Sequence, residues 1–384
     1  MRAGFFCFLL LGIAAVSAYG GEPEILWSAR FPDCGGSVVW DAAETSLGGY
    51  VAVGEICHGT AGKRALNVCR VDSGGLVLWE NTALSLGNAS AYSIEGLVDG
   101  YAICGVCSDS SGKQGLVLKI DANGNTAWSV DIGYENDDAL FDLCLTPAGN
   151  ILAVGYSFNT ETSDNDILAV CVSDSGSVLW RKRYVAPEYQ SAYSVTPSIG
   201  SDREFILTGS DGGNIFLMKI NEFGNWQWKT SHLLEGNQTG RSVTTSSEGG
   251  YIVAGSTRGS SGFSDILLVF FDEDGKVISE HVWGAGGPDN AYSIQEVSPA
   301  GFVVLVNSNS GTGEGYRPYI FRFDPWLSVV WSVKITDRNA LCYSLMQTLD
   351  GGFIVTGKIS APEGGTDYSS CVIRLSAEDL LNWE

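Results

Sequence analysis

Few residues in this sequence have the types and spacing that chemistry needs. Cys104-x-x-Cys107 has the spacing of a redox or zinc pair, but it falls in an apolar stretch that reads as a strand. There, residues three apart point to opposite faces, and no helix follows to lower a thiolate pKa. His58, His232 and His281 lie in separate segments without metal-ligand spacing, so neither a metal site nor a histidine-dependent triad is expected. Asp121-Ala-Asn-Gly-Asn125 and Asp272-Glu-Asp-Gly275 look like pieces of calcium loops. Each lacks the later bidentate Glu, and hairpin turns are the expectation.

The elements that would hold such residues come from a repeat. A Trp preceded by small or apolar residues recurs at Trp27, Trp79, Trp128, Trp180 and Trp228, with Ser279 in its place once, and again at Trp331 and Trp383. The intervals are 48 to 52 residues and define seven units. Each unit holds four strand-like runs. The first opens on an aromatic column, Trp40, Tyr92, Phe141, Tyr193, Tyr292 and Tyr343, interrupted by Arg241; a small or acidic residue follows each, from Asp41 to Ser344. The second ends in Gly, as in Tyr50-Val-Ala-Val-Gly54, Tyr251-Ile-Val-Ala-Gly255 and Phe353-Ile-Val-Thr-Gly357. The third is almost continuously apolar, as in Asp265-Ile-Leu-Leu-Val-Phe-Phe271, which means burial on both faces. It closes in a turn with a polar residue seven before the Trp and Gly four before it, such as Asp72 and Gly75. Leu327 and Asp379 break that Gly column, so the sixth and seventh turns are expected to differ. The Trp itself lies in the fourth run.

Seven four-stranded units that cannot bury themselves singly point to an all-β, seven-bladed β-propeller of antiparallel blades. No stretch shows the sustained helical period of a TIM barrel. Ile25 to Phe31 reads as a fourth strand with no first three before it, and the sequence ends on the fragment Asn382-Trp383-Glu384. The N-terminal strand is therefore expected to complete the last blade and close the ring.

Arg2, the apolar run Phe5 to Val16, and Val16-Ser17-Ala18 read as an export signal cleaved after Ala18, leaving residues 19–384 as one propeller domain. The expected location is secreted, periplasmic or cell-envelope. About 12 apolar residues fall short of the roughly 20 that a membrane crossing needs. Without Cys7 the cysteine count is odd, and most cysteines sit in strand patterns as small buried hydrophobes. Lys plus Arg number 22 against 44 Asp plus Glu, a formal charge of −22, which excludes a nucleic-acid binder built on clustered cations.

The motifs Ala-Tyr-Ser-Ile (291–294), Gly-Gly-Tyr-Ile-Val-Ala-Gly (249–255), Asp-Ile-Leu-Leu-Val (265–269) and Asp-x-x-Gly-x-x-x-Trp together resemble the secreted bacterial and archaeal propeller-repeat proteins. They are similar also to the wider tryptophan-docking propellers, which include quinoprotein dehydrogenases and an outer-membrane assembly scaffold lipoprotein. The resemblance runs from about Ile25 to Trp383 and concerns residues that build blades, not residues that react. Quinoprotein enzymes of this kind have eight blades, a calcium ion and in some cases adjacent cysteines. Seven units without adjacent cysteines lead to the expectation of no cofactor. A sialidase turn motif is out of register, because Asp121 stands seven before Trp128 where that motif has five.

Binding is expected on loops that follow the fourth and second strands, among them 133–138, 157–166, 256–265, 284–290 and 307–317. Two placements fit the column Trp40, Tyr92, Phe141, Tyr193, Arg241, Tyr292 and Tyr343. It either rims the channel mouth as a ligand-binding ring or packs between blades. The reading is an exported, monomeric, non-enzymatic scaffold that binds a protein or glycan partner through this face; the alternative is a carbohydrate-active enzyme or lectin. An enzyme calls for two close carboxylates of raised or coupled pKa at the channel mouth.

Overall fold

Among the described residues the runs of the repeat form strands, and the strands assemble as seven four-stranded antiparallel sheets. The computed structural model describes residues 22–31, 36–58, 63–82, 86–109, 112–134, 137–234, 236–258, 262–284, 286–297, 301–310, 315–361 and 368–377. The proposed leader, Cys34, Asp379 and Trp383 lie outside them. Blades 1 to 6 occupy residues 38–82, 88–132, 138–184, 190–232, 237–283 and 289–334, each with its strands in sequence order from the centre outward. Blade 7 takes three strands from residues 340–375 and its outer one from Ile25–Phe31, which pairs antiparallel with Tyr368–Leu375. The ring therefore closes through the N-terminal strand. Among the described residues no helix is long and apolar enough to cross a membrane.

The innermost strands touch their neighbours all the way round, and the core lies between blades. One cluster joins Val51, Val53 and Leu66 of blade 1 to Ile94, Ile103 and Leu116 of blade 2. Burial on both faces explains the continuous apolarity of the third strands. Cys69, Cys104, Cys144, Cys171, Cys342 and Cys371 are buried and unbridged, as small hydrophobes would be.

The Trp and Gly columns meet across the seams. Trp27, Trp79, Trp128, Trp180 and Trp228 each lie on the turn glycine of the following blade, namely Gly75, Gly124, Gly176, Gly224 and Gly275. A Cβ on any of these glycines would come within 2.5–2.8 Å of the indole. Three indoles also donate to a turn carbonyl: Trp27 to Ser73 at 2.8 Å, Trp128 to Asp174 at 2.9 Å and Trp180 to Glu222 at 2.8 Å. The turns are those expected. In the calcium-like fragment the Asp121 carboxylate accepts the amides of Asn123 and Asn125, both at 2.9 Å.

The sixth turn corrects an expectation. Its backbone matches the others: the Leu327 amide donates to Asp324 O at 3.0 Å, and the Asp324 carboxylate accepts from the amides of Trp326 and Ser328. Leu327 itself takes the left-handed φ of 64° that Gly supplies elsewhere. That conformation costs a non-glycine residue roughly 1–2 kcal/mol. Burial offsets it, because the Leu327 side chain packs with Leu268, Phe270 and Phe323.

Candidate functional site

The site is built by a backbone irregularity repeated seven times. In each inner strand the ladder slips by one residue at the column position: between Val39 and Asp41, Ala91 and Ser93, Leu140 and Asp142, Ala192 and Ser194, Gly240 and Ser242, Ala291 and Ser293, and Cys342 and Ser344. The extra residue of each bulge is the aromatic residue or Arg241. A bulge re-aims one side chain and bends the strand. It also presses the preceding carbonyl onto the second strand, where only glycine fits. A Cβ on Gly54, Gly105, Gly155, Gly209, Gly255 or Gly357 would stand 1.9–2.2 Å from an inner-strand carbonyl oxygen. The glycine that ends the second run is thus the sequence mark of the bulge, and blade 6 alone replaces it, with Val306 opposite Ala291.

The seven re-aimed side chains form a closed circuit. Ring centroids lie 5.5 Å apart for Trp40 and Tyr92, 5.5 Å for Tyr92 and Phe141, and 5.3 Å for Phe141 and Tyr193. The Arg241 guanidinium then bridges Tyr193 at 5.7 Å and Tyr292 at 4.9 Å. Tyr292 to Tyr343 at 5.4 Å and Tyr343 to Trp40 at 4.3 Å complete the round. All seven are half-buried. Of the two placements, the structure brings the whole column together around the central axis, near the start of each inner strand. Among the described residues no carboxylate pairs with Arg241, and its Nε is buried without a hydrogen-bond acceptor, as is the Trp40 indole nitrogen.

The next residue in each strand makes a second ring, of hydrogen bonds. Asp41 accepts from Ser344 Oγ of blade 7 at 2.7 Å and from the Ile94 amide of blade 2 at 3.0 Å. Asp142 accepts from Ser93 Oγ at 3.1 Å and from the Val195 amide at 2.8 Å. Ser194 accepts from the Val243 amide at 3.3 Å, Ser242 from the Ile294 amide at 3.2 Å, and Ser293 donates to Leu345 O at 3.4 Å. Every blade is thereby clipped to the next just below the aromatic circuit.

Electrostatics follow from this enclosure. Burial raises the Asp41 carboxyl to about 6, against the hydrogen bonds from Ser344 and Ile94. Asp142 is pushed up by the same burial. Glu95, two residues beyond Ser93, rises to about 7 through the surrounding wall first and the Asp41 and Asp142 carboxylates second. Composition-level reading missed Glu95; its position three after Tyr92, in a column otherwise uncharged, was the available signal. Close carboxylates of raised pKa are what the enzyme alternative calls for, and Asp41, Glu95 and Asp142 provide them. Asp41 and Asp142 spend their oxygens on interblade amides and hydroxyls, and Glu95 is the exposed member of the trio.

Around the circuit, the connections after fourth and second strands share one face and bond to each other. The Phe158 amide donates to Asp137 O at 2.9 Å, Gln238 to Gly213 O at 2.7 Å, and Asn309 to Pro288 O at 3.0 Å. Cys104 and Cys107 lie on one strand; Cys104 is fully buried and burial pushes its thiol well up, so it is a packing residue.

No family model matches the sequence, and no curated protein is detectably similar to it. Solved structures do share its architecture. The Neurospora crassa Pan2 WD40 domain superposes with a TM-score of 0.58 at 10% identity, covering 93% of this chain and 97% of that one. The Dos1 propeller gives 0.54 at 13% identity, covering 92% and 95%. Chaetomium thermophilum Sqt1 bound to the N-terminus of ribosomal protein L10 gives 0.50 at 13% identity, covering 92% and 100%. At such identities the likeness shows the fold: a seven-bladed propeller.

Proposed function

We propose that the protein is an exported, non-enzymatic interaction scaffold, and that a protein partner docks on the loop face with an anionic group at Arg241. The observation that carries this reading is the interruption of the aromatic circuit. Six positions are filled by rings that pack without needing a counter-ion. The seventh is a guanidinium held between Tyr193 and Tyr292 with no carboxylate partner among the described residues. A cation on aromatic faces keeps its charge available, and an arginine fork matches a carboxylate in bidentate geometry. The rings around it supply the rigid aromatic area that interfaces favour.

Support from known propellers is of the same kind. The Sqt1 propeller is described in complex with the N-terminus of a ribosomal protein, and rigid scaffolds with variable loops commonly bind protein segments. The export signal read from residues 1–18 of the sequence supports a partner outside the cytoplasm. The test is selection of peptides from a random displayed library on the wild-type protein, followed by titration of the winners against Arg241→Tyr and Tyr292→Ala. Acid-containing winners that lose affinity for both variants support the reading. Winners indifferent to both, or a preference for oligosaccharides lacking acidic groups, would move the function elsewhere.

A further inference from the structure

The outer rim of blade 3 carries a cluster of cations, away from the channel. The outer strand of blade 3, Val178–Tyr184, carries Arg181, Lys182 and Arg183 in succession. No other outer strand among the seven holds more than one Lys or Arg, in a chain of net charge −22. Arg183 lies 3.8 Å from the buried Asp166. Arg181 and Lys182 have no carboxylate within ion-pair distance among the described residues, whereas Lys113, Lys119, Lys219, Lys229 and Lys334 all do.

Neutral groups hold these cations in place. Arg181 donates to Gly133 O, and its guanidinium lies 4.3 Å from the Tyr134 ring centroid, with Arg183 at 5.1 Å. Lys182 Nζ donates to Asn225 Oδ1 at 2.5 Å. Carbonyl, ring and amide orient the charges of Arg181 and Lys182 without neutralising them. A cleft of about 500 Å³ lies along them, closed on the blade 4 side by Trp226, 63% exposed.

We infer that this cleft binds a short acidic peptide segment of a protein partner, with carboxylates at Arg181 and Lys182 and an apolar side chain on the Trp226 indole. An extended peptide fits because the strand is the outermost of its sheet, and such an edge offers main-chain groups to a second backbone, apart from the Arg181 carbonyl, which already accepts from the Tyr134 hydroxyl at 3.1 Å. The acidic segment must be short. At physiological salt the field fades over about 8 Å, so the local cations act on a local run of carboxylates while the rest of the surface repels acid. A charged edge also discourages strand pairing, but the other outer strands manage with one Lys or Arg or none.

The probe is a fluorescein-labelled peptide of six glutamates followed by leucine, titrated by anisotropy at physiological salt. Saturable binding is expected. It weakens about tenfold or more in R181E/K182E, where two attractions become repulsions, and more modestly in Trp226→Ala. The charge-matched control R258E/K276E, on exposed cations elsewhere, leaves it unchanged. Absence of saturable binding, equal weakening in the control, or displacement by a sulfated hexasaccharide at lower concentration than by unlabelled peptide would overturn the inference. Arg241→Tyr is without effect in this assay, which separates failure here from failure at the channel.

Discussion

Ser279 and Leu327 face the same seam, between blades 5 and 6, in the places that Trp and Gly hold in five other seams. The two departures compensate: a small residue replaces the indole, and an aliphatic side chain replaces the glycine on which the indole would lie. Leu327→Gly removes buried packing and is expected to destabilise by about 2 kcal/mol, while Ser279→Trp alone overpacks against Leu327 by a similar amount. Together they restore the pairing used elsewhere. A double-mutant cycle by denaturant unfolding is expected to give a favourable coupling of about 1–3 kcal/mol, and simple additivity would show that the two sites are unrelated.

Ring closure rests on Ile25–Phe31, which supplies both the last strand of blade 7 and Trp27 on the turn of blade 1. Deleting residues 22–31 exposes the edge of Tyr368–Leu375, removes Ala29 and Phe31 from an apolar cluster and uncovers its remaining members Val39, Ala52 and Val372. Calorimetry of the truncated protein is expected to show a broad, low-temperature transition in place of a single cooperative one. An unchanged melting curve would mean that the ring holds without its N-terminal strand.

The channel carboxylates make stability depend on pH. Glu95 and Asp41 have native pKa values near 7 and 6, above their unfolded values. The native state therefore binds more protons than the unfolded chain between about pH 4 and pH 7, and stability falls as pH rises through that window. Glu95→Gln removes one charge and its repulsion with Asp41 and Asp142. Glu95 is exposed and so screened by solvent, and the gain is expected to be about 1 kcal/mol at pH 8 and close to nothing at pH 4. Melting curves across that range check it; a constant difference between variant and wild type would dissociate Glu95 from the effect.

Much of this was legible in the sequence, for reasons particular residues make plain. The Trp interval gave seven units, and Ile25–Phe31 standing alone as a fourth strand gave the closure, because both are periodic and local. That Trp79 lies on Gly124 was not legible, since each column reads as an independent marker until the blades are set side by side. The turn at Leu327 was expected to differ because its sequence breaks the glycine pattern; its environment, not its intrinsic preference, decides the conformation. The bulges were hidden as well. Gly54 and Gly255 looked like strand ends, and only the carbonyl pressed against each shows why no side chain fits. The aromatic column was identified residue by residue, but its choice between channel and core depended on a one-residue slip that alternation cannot reveal.

Arg241 tests the central claim most directly. Arg241→Tyr completes the aromatic circuit and removes the unpaired cation, so the folded state is expected to keep its melting temperature within about 2 °C, as a substitution without a buried ionic partner should. Titration calorimetry with acid-containing peptides selected on the wild-type protein is then expected to show affinity falling about tenfold, the loss of one charge-assisted contact. Equal affinity for wild type and Arg241→Tyr would contradict recognition at the channel mouth.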